Sequence, residues 1–309
     1  VPPYADDEGG AVCNVAINRY ATATVALGVA SPPPGGDAAG DPLVRAALRH
    51  AGMAGATATV VSDFPVGAGL GGSSAAGVAL AGALAALGGL PLECTELAER
   101  SRRTEIEQLG IPGGFQDHYA AAFGGALLLT FVGCVGVERL TLSDTTSRSL
   151  AQRSLLVYTG ESRISASTIT AVVDAYRAHD PRVCDALARM KALARDMAAA
   201  LRVGDLDALG TLVGEHWTHQ RALHPSITTP RIDAIMEAAR HAGALGGKAL
   251  GASGGGCVLV IARDGREDEL ARALAPLGER LDFAVDHAGF EVVAVMEGAN
   301  DERASEAGA

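Results

Sequence analysis

The stretch Asp63-Phe-Pro-Val-Gly-Ala-Gly-Leu-Gly-Gly-Ser-Ser-Ala75 holds the residues best suited to chemistry. Gly67, Gly69, Gly71 and Gly72 carry no Cβ, so the backbone can curl and aim its N–H groups at one anion. Residues 56–62 before the glycines predict a strand, and the Ala-rich run from Ser73 to Leu87 predicts a helix. A helix that starts at Ser73 adds its first N–H groups and its dipole to the same site. The Ser73 and Ser74 hydroxyls stand where a metal or a phosphate oxygen would sit. These residue types in this order suit phosphate binding.

Other motifs share part of the pattern. Gly67-x-Gly69-x-x-Gly72 satisfies a dinucleotide fingerprint, but that fingerprint needs a βαβ unit. Here the helix at 73–87 is followed by a second predicted helix at 92–109, not by a strand. A Walker A loop needs Lys after its last glycine, and Gly72 is followed by Ser73. The GxSxG elbow of serine hydrolases lacks its final glycine at Ala75. A turn that only caps a buried helix remains as an alternative, although four glycines and two serines exceed what a cap requires.

The elements that must position this loop fit a chain of two domains, since 309 residues exceed the size at which one core stops growing. Hydrophobic residues make up 48% and aromatics 4%, so the core must be aliphatic. The net charge of −11 excludes a general nucleic-acid binder, which needs basic surface, but not a nucleotide substrate. Five cysteines (Cys13, Cys94, Cys134, Cys184, Cys257) form no CxxC pair and fit a reduced, cytoplasmic setting. No apolar run reaches membrane-spanning length, and no signal peptide is visible.

Alternation over 10–28 predicts a strand pair, and 31–42 a loop. Helices are expected at 42–50, 116–123, 165–178, 182–202, 205–222 and 230–242, and a hairpin over 125–132 and 134–142. The polar stretch 143–153 lacks periodicity, and the domain boundary is placed there, dividing 1–147 from 148–309. Strand 154–158 and the polar loop 159–166 open the second half. Strand 256–262, helix 266–276 and strand 290–296 predict a βαβ-like end, with a frayed tail over 298–309.

Pro65-x-x-x-Gly69-Leu-Gly-Gly-Ser-Ser-Ala75 resembles the second motif of the GHMP kinases, and Lys248-Ala-Leu-Gly-Ala-Ser-Gly-Gly-Gly-Cys257 resembles their third. Within that superfamily the likeness is closest to the D-glycero-D-manno-heptose 7-phosphate kinases. It is carried by Pro112–Gly125, by Tyr158–Ser167, by His216-Trp-Thr-His-Gln-Arg221 and by Ile227–Asp233, and spans nearly the whole chain. Phe115 and His118 depart from it, standing where relatives often have Lys and Gln. Gly72 stands where many members have a Ser. The opening residues resemble the segment just after the family's first motif, so that motif and its strand are expected to be missing from this chain.

The resemblance implies an α+β, two-domain GHMP-kinase fold with the active site in the interdomain cleft. It implies ATP on Pro65, Gly67, Gly69, Leu70, Gly71, Gly72, Ser73 and Ser74. It implies Mg²⁺ on Ser73 (Ser74 as the alternative) and Glu105 (Glu107 second), either Glu being otherwise a solvated helix charge. Asp117 resembles the catalytic Asp; its other reading is a charge that favours the N-terminus of helix 116–123. Thr159, Gly160, Arg163, Arg221, Gly254 and Gly255 are expected around the sugar, with Arg163, Arg221 and Arg231 suited to a distal phosphate. His216 and His219 read as core or surface histidines, Trp217 as packing, and Lys248 as a strand-end charge for which no catalytic role is assigned.

The expected reaction is ATP-dependent phosphorylation of the anomeric hydroxyl of a heptose 7-phosphate. Its alternatives are a 1-kinase for an unphosphorylated sugar and a nucleotide-binding module without turnover. The partners expected are a small sugar or sugar phosphate, with no nucleic acid and no membrane; a homodimer is left open.

Overall fold

The computed structural model describes residues 2–28, 41–53, 55–110, 114–161 and 166–293. The first half contains α1 (Pro2–Glu8), β1 (Gly10–Val15), β2 (Ala21–Leu27), α2 (Pro42–His50), β3 (Ala56–Ser62), α3 (Gly72–Leu87), α4 (Cys94–Arg103), α5 (Gln116–Phe123), β4 (Ala126–Val132) and β5 (Cys134–Leu140). The second contains α6 (Asp144–Arg153), β6 (Ser154–Tyr158), α7 (Ala166–Arg177), α8 (Pro181–Val203), α9 (Leu206–Ala222), α10 (Pro230–His241), β7 (Ala244–Ala249), β8 (Cys257–Ala262), α11 (Glu267–Leu274) and β9 (Glu279–Leu281). The architecture is α+β, as expected.

Helix α3 positions the glycine loop, and its own composition shows how. Its residues are Ala, Gly, Val and Leu beyond the first turn, and they are buried on several faces. Gly77 in its middle would ordinarily cost about 1 kcal/mol against Ala. Here a Cβ at Gly77 would strike the Ser101 hydroxyl on α4, so the glycine lets the two helices close together. Leu80 and Leu84 of α3 pack with Val44, Ala47 and Ala58, while Val78 and Ala85 pack with Leu97, Tyr119 and Leu127. Each fully buried leucine contributes roughly 1.5–3 kcal/mol.

Several expectations are corrected by the pairing of strands. Residues 10–28 form two strands that do not pair with each other. β1 runs antiparallel to β4, with Gly10 opposite Phe131, and β2 pairs with β3, with Ala21 opposite Ser62. Ile17, between them, bridges to Val285 and turns the chain from one sheet to the other. The stretch 143–153 is not irregular. Ser143 caps α6 by accepting from Thr146 N, and the helix buries little besides Ser147 and Leu150, so its periodicity is faint. Helix α1 and strand β7 were likewise not expected.

The third sheet, in the second half, has the order β7-β8-β6-β9 with every neighbouring pair antiparallel. β8 and β9 are therefore parallel and flank β6, joined by α11, in the split β-α-β manner of ferredoxin-like sheets. The expected last strand at 290–296 is replaced by Glu279–Leu281, because the chain leaving α11 meets the open edge of β6 at once. Residues 290–293 are not a strand; Phe290 instead packs against Gly82 of α3, and 294–296 lie outside the described residues, as does the tail 298–309.

One cluster joins the two halves. Ala126, Leu128 and Leu140 pack with Leu150, Leu193, Met197, Leu201, Leu209 and Ile261. With this cluster fixing their relation, the glycine loop of the first half and the β7–β8 connection of the second face each other across a cleft.

Candidate active site

Strand β3 carries the chain into the glycine loop, where Asp63 accepts a hydrogen bond from Tyr20 N at 2.9 Å. Gly67, Gly69 and Gly71 each have φ near 74°, a left-handed conformation costing other residues about 1–2 kcal/mol. Space is restricted as well. A Cβ on Gly69 would lie 2.9 Å from Leu250 O, and one on Gly71 would lie 3.0 Å from Asp117 Cβ. The loop between β7 and β8 closes on it: Cys257 N donates to Ala68 O at 2.7 Å. A Cβ on Gly256 would meet the same oxygen at 2.7 Å. The two Gly-rich stretches, remote in sequence, thus form one backbone-lined surface.

Beside this surface lies a buried polar cluster. Ser73, in the first turn of α3, donates to Glu105 Oε1 at 2.6 Å. Glu105 sits in a π-helical turn, Thr104–Gln108, that extends α4 and rotates its carboxylate inward, leaving Glu107 exposed. Glu105 Oε2 is 3.0 Å from His118 Nε2, and His118 Nδ1 is 2.8 Å from Ser101 Oγ. Ser74 does not reach Glu105; its hydroxyl is 3.4 Å from His118 Nε2. Burial pushes the Glu105 carboxyl up, but the hydrogen bonds from His118 and Ser73 outweigh it and hold the group below its ordinary range.

Asp117 faces Gly71 from the first turn of α5. Burial raises its pKa, and nearby Glu105 adds to the rise, while His118 and Lys248 pull it back. Lys248 reaches in from β7 and donates to Ala249 O at 3.0 Å. Burial lowers its pKa to about 8, with Asp117 opposing the drop. Lys248 is therefore more than a strand-end charge: it shares the cleft floor with Asp117. The chain has only two lysines, and Lys191 lies elsewhere, on α8, donating to Glu8 O at 2.9 Å.

The cleft has a volume of about 2360 Å³, larger than the roughly 300–1,000 Å³ of a site for one small ligand. Asn14, His216 and Ser253 line it, and each has a buried side-chain polar atom without a hydrogen-bond partner. Such atoms suit a ligand rich in hydroxyls. Asn14 is held beside the site by donating to Gln116 O at 3.1 Å. Burial lowers the His216 pKa to about 3, and Lys248 and His219 add to the drop.

The expected loop residues Pro65, Gly67, Gly69, Leu70, Gly71, Gly72, Ser73 and Ser74 all line the cleft, as do Glu105, Asp117 and Gly255. Thr159 and Gly254 do not line it; they hold the loop from behind. Thr159 donates through N and Oγ1 to Gly256 O at 3.0 and 2.9 Å, and Gly254 N donates to Ile227 O at 2.9 Å. Gly160 is exposed. Arg221 and Arg231 are both exposed, and neither lines the cleft. On α9 it is Gln220 that turns inward, donating to Gly251 O at 3.1 Å, and the next residue is rotated by about 100° toward solvent. Arg163 lies outside the described residues.

Ser73 and Glu105 offer a hydroxyl and a carboxylate, hard oxygens that fit Mg²⁺, which takes one or two protein ligands and otherwise phosphates and water. Among the described residues no group of three or more His, Cys, Asp or Glu could hold a metal. Nor, among them, is any helix long and apolar enough to cross a membrane.

Comparison with known proteins shows the family and the fold. The model for the GHMP kinases N terminal domain matches residues 42–125, and that for the GHMP kinases C terminal domain matches 197–278. A D-glycero-alpha-D-manno-heptose 7-phosphate kinase of Campylobacter jejuni is 32% identical over 215 residues, 69% of this chain. The match spans 63% of that protein's own length. A galactokinase of Mycobacterium tuberculosis is 32% identical over 254 residues, covering 73% of this chain and 70% of that protein. Among solved structures, a D-glycero-D-manno-heptose 1-phosphate kinase from Bacteroides thetaiotaomicron superposes with a TM-score of 0.72 at 25% identity, covering 95% of this chain and 94% of that one.

Proposed function

The chain belongs to the GHMP kinases, and on that premise we propose that it is an ATP-dependent sugar kinase acting on the anomeric hydroxyl of D-glycero-D-manno-heptose 7-phosphate. The observation that carries phosphoryl transfer is the placement of Asp117 against Gly71, where the glycine loop meets the Ser73–Glu105 pair. In this reading the residues before α6 hold the nucleotide, and those from β6 onward close the sugar end of the cleft.

The loop's N–H groups and the N-terminus of α3 bind the triphosphate of ATP. Ser73 and Glu105 would hold Mg²⁺, which would supply neutralisation of the phosphate charge. Asp117 orients the acceptor hydroxyl and takes its proton late, as the oxygen bonds to the γ-phosphorus and the bond to ADP breaks. Its raised pKa makes it a better proton acceptor than an exposed Asp. Lys248 keeps a positive charge beside that carboxylate and the incoming phosphoryl group.

The two heptose kinases named above share a heptose phosphate in their names but differ over the phosphate's position, 7 or 1. The unpartnered atoms of Asn14, His216 and Ser253 support a polyhydroxylated acceptor. The exposure of Arg221 and Arg231 favours a second reading, a 1-kinase for an unphosphorylated sugar. ADP release with Mg·ATP and a panel of D-glycero-D-manno-heptose 7-phosphate, free heptose and free hexoses decides between them. The heptose phosphate should give the highest kcat/KM. Equal or higher values for free sugars promote the second reading, and nucleotide binding without turnover on any acceptor refutes the kinase.

A further inference from the structure

We propose that His118 is a positioning residue that fixes the Glu105 carboxylate for the metal, and that Ser101 in turn fixes His118. This rests on the assignment of Mg²⁺ to Ser73 and Glu105 made above. A carboxylate as buried as Glu105, 7% exposed, is costly unless its oxygens are filled. Both are filled from opposite sides, Oε1 by Ser73 at 2.6 Å and Oε2 by His118 Nε2 at 3.0 Å.

The ionised carboxylate only accepts hydrogen bonds, so Nε2 must carry the hydrogen. On the other side of the ring, Nδ1 is hydrogen-bonded to Ser101 Oγ at 2.8 Å. Ser101 and His118 are each 1% exposed, so neither can exchange its partner for water. The order Ser101–His118–Glu105–Ser73 thus runs inward from α4 to the first turn of α3, through a space that Gly77 keeps open by lacking a Cβ. Ligating groups held by outer hydrogen bonds in this way are common in metal sites, and loss of the outer partner typically lowers metal affinity 10–100-fold.

The first turn of α5 therefore serves two purposes. Asp117 points to the glycine loop, and His118, one residue on, points to the metal carboxylate. Packing alone does not account for this, because a buried filler needs no donor aimed at a carboxylate.

The test is Mn²⁺ binding, read by electron paramagnetic resonance, to the protein with a non-hydrolysable ATP analogue. His118→Leu keeps volume but removes the donor, and should weaken Mn²⁺ binding by about 10–100-fold. Metal-free binding of the analogue should stay within a few-fold of wild type. His118→Gln restores an N–H donor and should recover most of the Mn²⁺ affinity. Ser101→Ala should weaken it in the same direction, by less. A folded Leu variant that holds Mn²⁺ as tightly as wild type overturns the proposal, as does a Gln variant as impaired as Leu. Should the Leu variant not fold, Ser101→Ala decides by the same criterion. Failure of the wild type itself to take Mn²⁺ with the nucleotide overturns the metal assignment, and this inference with it.

Discussion

Replacing Gly71 by Ala probes the contact between the glycine loop and Asp117 while leaving every polar group in place. Two costs separate cleanly. At φ 74° any Cβ is strained by about 1–2 kcal/mol. The added carbon would also lie 3.0 Å from Asp117 Cβ and 3.1 Å from its Cγ, against an ordinary separation of roughly 3.5–4.0 Å. Asp117 or the loop must therefore yield by about half an ångström. A misplacement of about 1 Å can cost 10²-fold in rate, so a loss of roughly tenfold in kcat is expected. Gly89 supplies the control: its φ is 63°, and a Cβ there meets nothing within 4 Å. Urea unfolding should show Gly89→Ala destabilised by about 1–2 kcal/mol and Gly71→Ala by at least as much. Turnover at saturating substrates should fall only for Gly71→Ala. Equal turnover in the two variants, both folded, would refute the reasoning that this glycine keeps Asp117 in place.

Asp117→Asn should lower turnover by about 10²–10⁴-fold with ATP affinity little changed, and normal turnover would remove Asp117 from the base role. Ser73→Ala should raise the Mg²⁺ concentration needed for half-maximal rate; if only Ser74→Ala does so, the metal hydroxyl is assigned one residue too early. His216 binds its proton more weakly in the fold, with a pKa of about 3 against 6.5 unfolded, so the unfolded chain takes up the proton first as pH falls. Its contribution is present above pH 6.5 and is lost toward pH 3, by roughly 1–2 kcal/mol between pH 6.5 and 5. His216→Leu should flatten that limb in urea unfolding at the two pH values, and an unchanged slope would show that the ring titrates normally.

Much of the site was legible because its physics is local. A strand, a run of glycines and an Ala-rich helix specify an anion-binding turn wherever they fall, and Gly67, Gly69 and Gly71 all adopt the positive φ that glycine permits. Strand pairing was not legible. β1 and β2 are adjacent in sequence yet pair with β4 and β3, a choice made by contacts far along the chain. β7 escaped notice because Ala244-Leu-Gly-Gly-Lys-Ala249 has little intrinsic strand preference. It is held by β8 and by the close approach of Gly246 to Gly210 and Gly214 on α9.

The sequence by itself determined the class of chemistry, since phosphate binding at a glycine turn and a helix N-terminus depends on residues within one short stretch. Only the tertiary structure decided which side chains meet beside that turn. Ser73 rather than Ser74, and Glu105 rather than Glu107, meet because a π-helical turn and the packing of Ser101 over Gly77 set the rotation of two helices. The same packing brought His118 to Glu105 and turned Arg221 away from the cleft. Rotations of this kind depend on which faces bury against which, and neighbours that meet only in the folded core leave no local pattern to read.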